Sequence, residues 1–252
     1  MRLDQYLVKI DAVRSRHRAQ IEIKAGRILV NQAVVLKPSY PVKGDDEVRV
    51  LEPFNPYVSQ GGLKLAHAIE VFALDLKDKI IFDIGASTGG FTDCALKHGA
   101  LKVYAIDVGH NQLDETLTQH PQVISLEETN YLTLHLASLD IPDFCLMDVS
   151  FTSGIPFVLH SFNHFDRPFI WLIKPQFETM KTPKSGVIKD AKLHKEVLAH
   201  LQKTLNHHQL YFQAITPSPI KGQKGNREFL SLIGKTKHYL QIDAIIDDVK
   251  SE

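Results

Sequence analysis

Two short stretches near the amino terminus have the apolar spacing of helices. In the first, apolar residues three and four positions apart share one face: Leu3, Tyr6, Leu7 and Ile10. Ser15 is suited to cap a second helix over 16–25, because its hydroxyl can accept a hydrogen bond from a free amide of the first turn. Gly26 is expected to end that helix, since glycine adopts the left-handed conformation readily.

Strand-like patterns follow these helices. Residues 27–35 predict two strands around Asn31-Gln32, and 47–51 predicts a further strand. Two prolines in the next stretch indicate a linker over 52–60. The pattern therefore predicts a small α+β domain over residues 1–51.

Beyond the linker, strands and helices are predicted in alternation. After a helix near 63–72, strand candidates with helical stretches between them recur at 79–83, 102–107, 122–126, 143–148 and 168–173. A long helix near 190–206 precedes two closely spaced strands, 209–216 and 227–234, which suit an antiparallel pair at one edge of a sheet.

This alternation is typical of a doubly wound sheet and predicts the α/β fold class. Over residues 61–243 we expect a Rossmann-like sheet that is mostly parallel and has an antiparallel edge strand. We set residues 244–252 apart as a tail, since the last dozen residues suit either a helix or a loose end.

The composition indicates a folded protein and argues against several other classes. Of the 252 residues, 44% are hydrophobic, which is enough for a core. The longest apolar runs, such as 169–173, are far shorter than a membrane span, and charged residues near the amino terminus argue against a secretory signal. Two cysteines make neither a disulfide framework nor a zinc pattern. We therefore expect a cytoplasmic protein.

The thirteen histidines also lack the spacing of metal ligands. The densest group comprises His194, His200 and His207-His208, without cysteine or carboxylate neighbours at ligand spacing. We expect the histidines to be mostly solvated and the protein to hold no metal.

The net charge of zero conceals an uneven distribution. Residues 1–50 hold ten Lys and Arg against six Asp and Glu, whereas the remainder holds nineteen against twenty-three. A small basic module joined to a mildly acidic body suits a protein that grips a polyanion at one end.

A glycine-rich turn after the first strand of the second region predicts a cofactor site. The strand ends at Asp83 and runs through Gly85 and Gly89-Gly90 into a helix near Phe91. Glycines in this position allow a tight turn and a close approach of a ligand to the backbone. The next strand ends at Asp107, where a carboxylate can accept hydrogen bonds from the ribose hydroxyls of an adenosine-containing cofactor.

Two residues of this turn favour S-adenosylmethionine over a dinucleotide. The dinucleotide fingerprint needs a glycine where this chain has Ser87. Asp83 would repel a pyrophosphate, whereas it suits the ammonium end of S-adenosylmethionine. A glycine-rich turn by itself is also compatible with an ordinary strand-to-helix connection, and the spacing of Asp83 and Asp107 favours the cofactor. We also assign Val108 and Asn130 to the cofactor site.

Four polar residues lie at the ends of predicted core elements, where a reaction is expected: Lys64, Asp148, Lys174 and Glu228. Each has a purely structural alternative. Asp148 suits a helix cap, and Lys174 suits a solvated charge. Lys64 suits the polar side of an amphipathic helix, and Glu228 suits the surface of an edge strand. Asp148 and Lys174 together favour a site, because neighbouring parallel strands bring both to the carboxyl edge beside the cofactor.

Several longer motifs resemble one known family. They run from Arg2 to about Gly234 and comprise Arg2-Leu-Asp4, Gln60-Gly-Gly-Leu-Lys64, Asp83-Ile-Gly-Ala-Ser-Thr-Gly-Gly-Phe-Thr92, Asp107-Val-Gly, Asp148-Val-Ser-Phe and Lys174-Pro-Gln-Phe-Glu178. Together they resemble the hemolysin A (TlyA) family of ribosomal RNA 2′-O-methyltransferases. That family combines an FtsJ-like catalytic domain with an N-terminal alpha-L RNA-binding motif.

The resemblance implies a role for each group of residues. It makes Lys64, Asp148, Lys174 and Glu228 the catalytic set, with Asp148 also beside the cofactor. It implies a cytidine 2′-hydroxyl of ribosomal RNA, or of a ribosomal subunit, as the methyl acceptor. RNA contacts are expected from the basic residues of the first domain: Arg2, Arg14, Arg16, Arg18, Lys24 and Arg27.

Two departures from the family bear on the substrate. Gln60 stands where the family commonly has arginine, which removes one possible RNA contact. The first domain also starts almost at Met1, which favours the shorter form of the family that acts on large-subunit RNA.

For the chemistry, our hypothesis is that Lys174, flanked by Asp148 and Glu228, orients the ribose hydroxyl and helps to remove its proton. Two other functions compete with this one. Retention of all four polar residues argues against a non-catalytic RNA-binding or ribosome assembly factor. A membrane-active hemolysin would need a spanning or strongly amphipathic segment, which the sequence lacks.

Overall fold

A computed structural model describes residues 1–13, 15–51, 55–222 and 224–250 of the chain. The chain divides into two compact units, Met1–Pro56 and Tyr57–Glu252. We call them the N-terminal unit and the C-terminal unit.

The N-terminal unit contains two helices and a three-stranded sheet, as the apolar pattern predicted. The elements are α1 (Leu3–Lys9), α2 (Arg16–Lys24), β1 (Ile28–Val30), β2 (Ala33–Val34) and β3 (Val48–Val50). The strands are antiparallel, in the order β2-β1-β3. Leu7, Ile23 and Ile28 are fully buried between the helices and the sheet.

Local chemistry explains where these elements begin and end. Ser15 Oγ accepts a hydrogen bond from the Arg18 amide at 3.2 Å and caps α2, as expected. Asn31 and Gln32 both have positive φ, at 51° and 67°, which is the conformation that a two-residue hairpin turn requires. The predicted apolar face of α1 was wrong in its last member, because the helix ends at Lys9 and Ile10 is exposed.

The C-terminal unit alternates strands and helices, and each predicted strand lies within two residues of an observed one. Its elements are α3 (Gly61–Val71), β4 (Ile80–Ile84), α4 (Gly90–Lys97), β5 (Lys102–Ile106), α5 (Glu115–Thr118), β6 (Val123–Leu126), β7 (Phe144–Met147), α6 (Ile155–His164), β8 (Phe169–Ile173), α7 (Ala191–His207), β9 (Tyr211–Pro217), β10 (Phe229–Gly234) and α8 (Ile242–Lys250).

These strands form one seven-stranded sheet in the order β6-β5-β4-β7-β8-β10-β9. The pairs from β6 to β8 are parallel, whereas β10 runs antiparallel to both β8 and β9. The predicted antiparallel pair therefore lies at one edge, and the strand that reverses direction is one position inside that edge. The strands that follow β4 are added first on one side of it, as β5 and β6, and then on the other, as β7 and β8. A ligand-binding crevice is expected at this switch point, at the carboxyl end of β4.

Side chains of alternate strand residues face two separate cores. Phe82 and Trp171 face one core, which α6, α7 and α8 complete. Ile81 and Leu172 face the other, which α3 and α4 complete. The last described residues are helical: Ile242 and Ile246 of α8 are buried in the first core.

Among the described residues, no helix combines the length and the apolar character that a membrane span requires.

Candidate active site

The loop after β4 takes the conformation that its glycines predict. Gly85 and Gly89 have φ values of 81° and 89°, and Ser87 between them also has a positive φ, of 47°. A Cβ atom on Gly85 would lie 3.0 Å from the carbonyl oxygen of Asp148, so the loop packs directly against the end of β7. A side chain on Gly89 would collide with Leu117. The glycines therefore bring the loop backbone close to the end of the neighbouring strand.

Asp83 lies at the end of β4 with its carboxylate completely buried. One carboxylate oxygen accepts a hydrogen bond from Thr92 Oγ1 at 2.6 Å, and Oδ1 has no hydrogen-bond partner among the described residues. Burial raises the pKa of Asp83 to about 7. A buried carboxylate oxygen without a donor fits a cationic group at this position, as the ammonium of S-adenosylmethionine would provide.

Asp107, at the end of β5, is engaged by the backbone of two loops. Its Oδ2 accepts from the Ser87 amide at 2.8 Å, and its Oδ1 accepts from the Gly109 amide at 2.7 Å. Each oxygen keeps a second lone pair for a ligand hydroxyl. Asp107 also lines a shallow recess, whose walls are Ala86, Ser87, Ala105, Asp107, Leu113, Ser125 and Glu127.

Glu127 is a residue of this recess that the sequence reasoning missed. Its carboxylate accepts hydrogen bonds from the amides of Asn111, Gln112 and Leu113 at 3.0, 2.7 and 3.1 Å, which lower its pKa. The signal was available, because Glu127 directly follows a predicted strand and therefore lies at the carboxyl edge.

The other predicted cofactor residues differ in what they offer a ligand. Phe91 is buried in the core beneath α3 and α4, so only its backbone can face a cofactor. Gly90 also packs tightly, since a Cβ there would collide with Ser59. Val108 and Asn130 are exposed, and the Asn130 side chain accepts from the Leu132 amide at 3.0 Å. Neither belongs to the walls of the recess.

The four predicted catalytic residues form two ion pairs. Lys64, in the first turn of α3, donates to Glu228 Oε2 at 2.5 Å, and both side chains are buried. Lys174, directly after β8, lies 2.6 Å from Asp148 Oδ1, directly after β7. Lys174 Nζ also donates to Ser150 Oγ at 2.6 Å. From the sequence we expected Glu228 to lie beside Lys174. In the structure Glu228 pairs with Lys64 instead.

Burial contradicts most of the structural alternatives for these residues. The side chains of Lys174 and Lys64 are only 12% and 10% exposed, so neither is a solvated charge. Glu228 is 3% exposed and is not a surface residue. Asp148 does not cap α6, because that helix begins at Ile155, after Gly154.

Glu178 joins the two loops that carry Asp148 and Lys174. Its carboxylate accepts from Ser153 Oγ at 2.7 Å and from the Gly154 amide at 2.8 Å. Burial raises the pKa of Glu178. Glu178 and Ser150 both belong to motifs recognised in the sequence, but neither was given a role there. Ser153 was missed because nothing in its spacing marks it.

In the N-terminal unit, four of the predicted RNA-binding residues form ion pairs with two buried carboxylates. Arg2 and Arg16 contact Asp4, and Arg18 and Arg27 contact Glu22. Lys24 is exposed on α2. Arg14 lies outside the described residues.

One histidine is buried, although the histidines were expected to be mostly solvated. His194 is 4% exposed and packs edge-to-face against Phe229, because α7 covers the sheet at that point. No group of three or more His, Cys, Asp or Glu in the described part of the chain is arranged to hold a metal.

Comparison with known families divides the chain in a similar way. Residues 57–235 match the FtsJ-like methyltransferase family, and residues 1–48 match the S4 domain.

Individual relatives match over almost the whole chain. Hemolysin A of Brachyspira hyodysenteriae is 40% identical over 241 residues, covering 92% of this chain and 98% of its own length. The 16S/23S rRNA (cytidine-2′-O)-methyltransferase TlyA of Mycobacterium tuberculosis is 32% identical, covering 98% of this chain and 95% of its own.

Solved structures show the same architecture. A hemolysin structure from Streptococcus thermophilus superposes with a TM-score of 0.78 at 32% identity, covering 100% of this chain and 96% of that one. An S-adenosylmethionine-dependent methyltransferase from Listeria monocytogenes, at 15% identity and a TM-score of 0.52, covers 71% of this chain and 100% of its own and shares the fold alone. The chain therefore belongs to the hemolysin A (TlyA) family, in which an S4 domain precedes an FtsJ-like methyltransferase domain.

Proposed function

We propose that this protein transfers a methyl group from S-adenosylmethionine to the 2′-hydroxyl of a cytidine in ribosomal RNA. The observation that carries the proposal is the position of the Lys174–Asp148 pair. Asp148 packs against Gly85 of the glycine loop, so the pair lies directly beside the predicted cofactor site. The relative from Mycobacterium tuberculosis, named for this reaction, supports the choice of acceptor.

The residues around the glycine loop fit the proposed cofactor. Asp83 offers a buried carboxylate oxygen to the ammonium end, and Asp107 offers acceptor lone pairs to the ribose hydroxyls. The loop between them is glycine-rich, so the ligand can approach the backbone. When bound, S-adenosylmethionine supplies an activated methyl group on a sulfonium.

The protein's own task is then to align the ribose hydroxyl and to handle one proton. Lys174 has three ammonium protons; it donates one to Ser150 Oγ, and Asp148 Oδ1 lies at ion-pair distance from its Nζ. A further proton remains for the ribose oxygen, so Lys174 orients the nucleophile by a hydrogen bond. Because Lys174 is held in an ion pair with Asp148, orientation is its main contribution, and Asp148 is the acceptor nearest to the leaving proton.

The second pair, Lys64–Glu228, has a supporting role in this mechanism. Both side chains are buried, and a Cβ atom on Gly222 would collide with Glu228. Glu228 therefore has little freedom to move toward Lys174. We infer that the pair fixes the first turn of α3 and the start of β10 at the rim of the site.

The acceptor is proposed to be ribosomal RNA because the N-terminal unit is basic and matches the S4 domain. Cationic side chains on such a unit would contact phosphates, which gives affinity with little sequence specificity. RNA is preferred over DNA since only RNA has a 2′-hydroxyl to methylate.

The test is methyl transfer from labelled S-adenosylmethionine to isolated ribosomal subunits, with the methylated cytidines mapped with and without the protein. Lys174→Ala should lose transfer while calorimetry finds cofactor affinity nearly unchanged. Lys181→Ala is the control, because Lys181 is an exposed lysine paired with Glu196. Absence of 2′-O-methylcytidine with the wild-type protein, or loss of cofactor binding in Lys174→Ala, would contradict the proposal.

A further inference from the structure

Two carboxylates of the N-terminal unit are buried on the helices that carry its arginines. Asp4 lies in the first turn of α1 and Glu22 lies in α2, with relative exposures of 0% and 1%. A buried carboxylate is unfavourable unless cations and hydrogen bonds compensate it. Their positions therefore call for a function beyond solubility.

Asp4 holds two arginines. Arg2 forms a bidentate pair with Asp4, in which Nε donates to Oδ1 at 3.0 Å and Nη2 donates to Oδ2 at 2.8 Å. Arg16 Nη2 and Gln20 Nε2 reach the same Oδ2 at 3.4 and 3.2 Å. These hydrogen bonds and charges hold the pKa of Asp4 well below its usual range. The bidentate geometry fixes the plane of the Arg2 guanidinium as well as its position.

Glu22 holds two further arginines in the same way. Arg18, one helical turn earlier on α2, lies 2.7 Å from Oε1. Arg27, just before β1, lies 3.0 Å from Oε2. The two oxygens of one buried carboxylate thus fix one side chain from the helix and one from the residue just before the next strand.

The arginines remain available to a ligand although they are held. Their side chains are 45%, 53%, 22% and 44% exposed, for Arg2, Arg16, Arg18 and Arg27. A guanidinium has five N–H donors, and each carboxylate contact engages one or two of them. Each arginine can therefore keep its buried partner and still donate to a phosphate.

We propose that Asp4 and Glu22 are positioning residues for RNA: they hold four arginines in their binding geometry before RNA arrives. This inference rests on the proposed function, since it assumes that the arginines contact ribosomal RNA. An unrestrained arginine loses rotamer freedom when it binds a phosphate, and a restrained one has lost it already on folding.

Charge and positioning predict opposite changes in RNA affinity, which makes the inference testable. Asp4→Asn and Glu22→Gln each remove one negative charge and so raise the net charge of the N-terminal unit by one. If charge alone governed RNA binding, both variants would bind RNA more tightly and with a steeper salt dependence. Positioning predicts weaker binding, because the released arginines must be ordered by the RNA.

The experiment uses the full-length protein and ribosomal RNA, and it measures KM for RNA, kcat and cofactor affinity. Glu47→Gln is the matched control: it changes the net charge of the same unit by the same amount, and Glu47 is exposed with no side-chain ion pair among the described residues. We expect Asp4→Asn and Glu22→Gln to raise KM for RNA about tenfold. At saturating RNA their kcat should match that of wild type, as should their cofactor affinity.

A coupling measurement distinguishes positioning from a general loss of structure. Arg16→Ala should weaken RNA binding less in the Asp4→Asn background than in the wild-type background, since an Arg16 that Asp4 no longer holds contributes less to binding. Thermal unfolding of each variant reports whether the N-terminal unit stays folded. RNA binding by Asp4→Asn and Glu22→Gln as tight as that of Glu47→Gln would overturn the inference.

A second measurement on the wild-type protein covers the case in which Asp4→Asn does not fold. Side-chain 15N relaxation in the absence of RNA should find the four paired guanidiniums more rigid than that of exposed Arg49, whose side chain makes no hydrogen bond or ion pair within the described part of the unit. Equal mobility would overturn the inference. A wild-type protein that fails to methylate RNA would instead overturn the proposed function.

Discussion

At the scale of single residues, we expect the Lys64–Glu228 pair to have a large effect on stability. Both charges are buried, so removing one partner leaves the other uncompensated. We expect Glu228→Ala to lower the free energy of unfolding by about 3–5 kcal/mol. The double variant Lys64→Met with Glu228→Leu should recover much of that stability, because it removes both charges, yet methyl transfer should stay lost.

Urea unfolding of these variants checks the prediction. The control is Glu196→Ala, which breaks an exposed ion pair with Lys181 and should cost less than about 1 kcal/mol. A Glu228→Ala variant no less stable than Glu196→Ala would show that the buried pair contributes little.

Asp83 gives the site a pH dependence near neutrality. Burial raises its pKa to about 7, above the usual value of 3.8. The folded protein therefore keeps this carboxyl protonated while the unfolded chain ionises, so its contribution to folding stability falls as pH rises from about 4 to about 7. A cationic cofactor group prefers the ionised form, and its affinity should rise over the upper part of that range.

Calorimetric titration with S-adenosylmethionine at several pH values tests this. Between about pH 5.5 and about pH 7.5 we expect the wild-type affinity to rise about tenfold, since Asp83 is mostly protonated at the lower limit and mostly ionised at the upper. Asp83→Asn should bind more weakly at the upper limit and show a flat profile. An equal rise in both proteins would assign the dependence to another group.

The residue types at the site were predictable, but their pairing was not. Lys64, Asp148, Lys174 and Glu228 all stand at element ends, and the spacing of the elements was enough to mark them. Which carboxylate meets which lysine depends on where α3 starts relative to β10. Lys64 and Glu228 are 164 residues apart in the chain, and no local pattern relates the two elements.

At the scale of elements, the turn between β4 and α4 is the feature that tolerates change least. Gly89 has a φ of 89°, and a side chain there would meet Leu117 and Leu113. Gly89→Ala should lower the free energy of unfolding by about 1–3 kcal/mol and weaken cofactor binding, because backbone strain and crowding both displace the loop.

Gly44→Ala is the matched control for this loop. A Cβ atom at Gly44 has no neighbour within 4 Å, and its φ lies outside the left-handed region. Thermal unfolding and cofactor titration of the two variants should therefore diverge. Cofactor binding by Gly89→Ala equal to that by Gly44→Ala would remove the turn from the proposed site.

Element positions were predicted well because the apolar pattern encodes them locally. Buried runs such as Phe169–Ile173 mark a strand whichever neighbours it has. The position of β10 between β8 and β9 was not predictable in this way. The short spacing of β9 and β10 predicts that they pair with each other, but it does not predict which of them lies at the edge of the sheet. The sequence did not decide whether the last residues form a helix or a loose tail. Helix α8 depends on packing Ile242 and Ile246 into a core that is distant in sequence.

At the scale of the whole molecule, charge is separated although the total is zero. The first fifty residues carry an excess of four positive charges and the remainder an excess of four negative charges. Salt screens charges over distances of about 10 Å at 0.1 M, so RNA responds to the local excess and not to the total. The net charge of zero would suggest that RNA binding depends weakly on salt, whereas the excess of positive charge in the first fifty residues suggests a strong dependence.

We therefore expect salt to act on RNA and cofactor differently. Raising monovalent salt from about 50 to about 200 mM should weaken RNA binding by at least an order of magnitude and leave the affinity for S-adenosylmethionine nearly unchanged. The double variant Arg16→Ala with Arg18→Ala should reduce the slope of log affinity against log salt by about 1.5, because two phosphate contacts are lost. An equal loss of RNA and cofactor binding with salt would mean that the basic residues support the fold of the whole chain and do not contact the RNA.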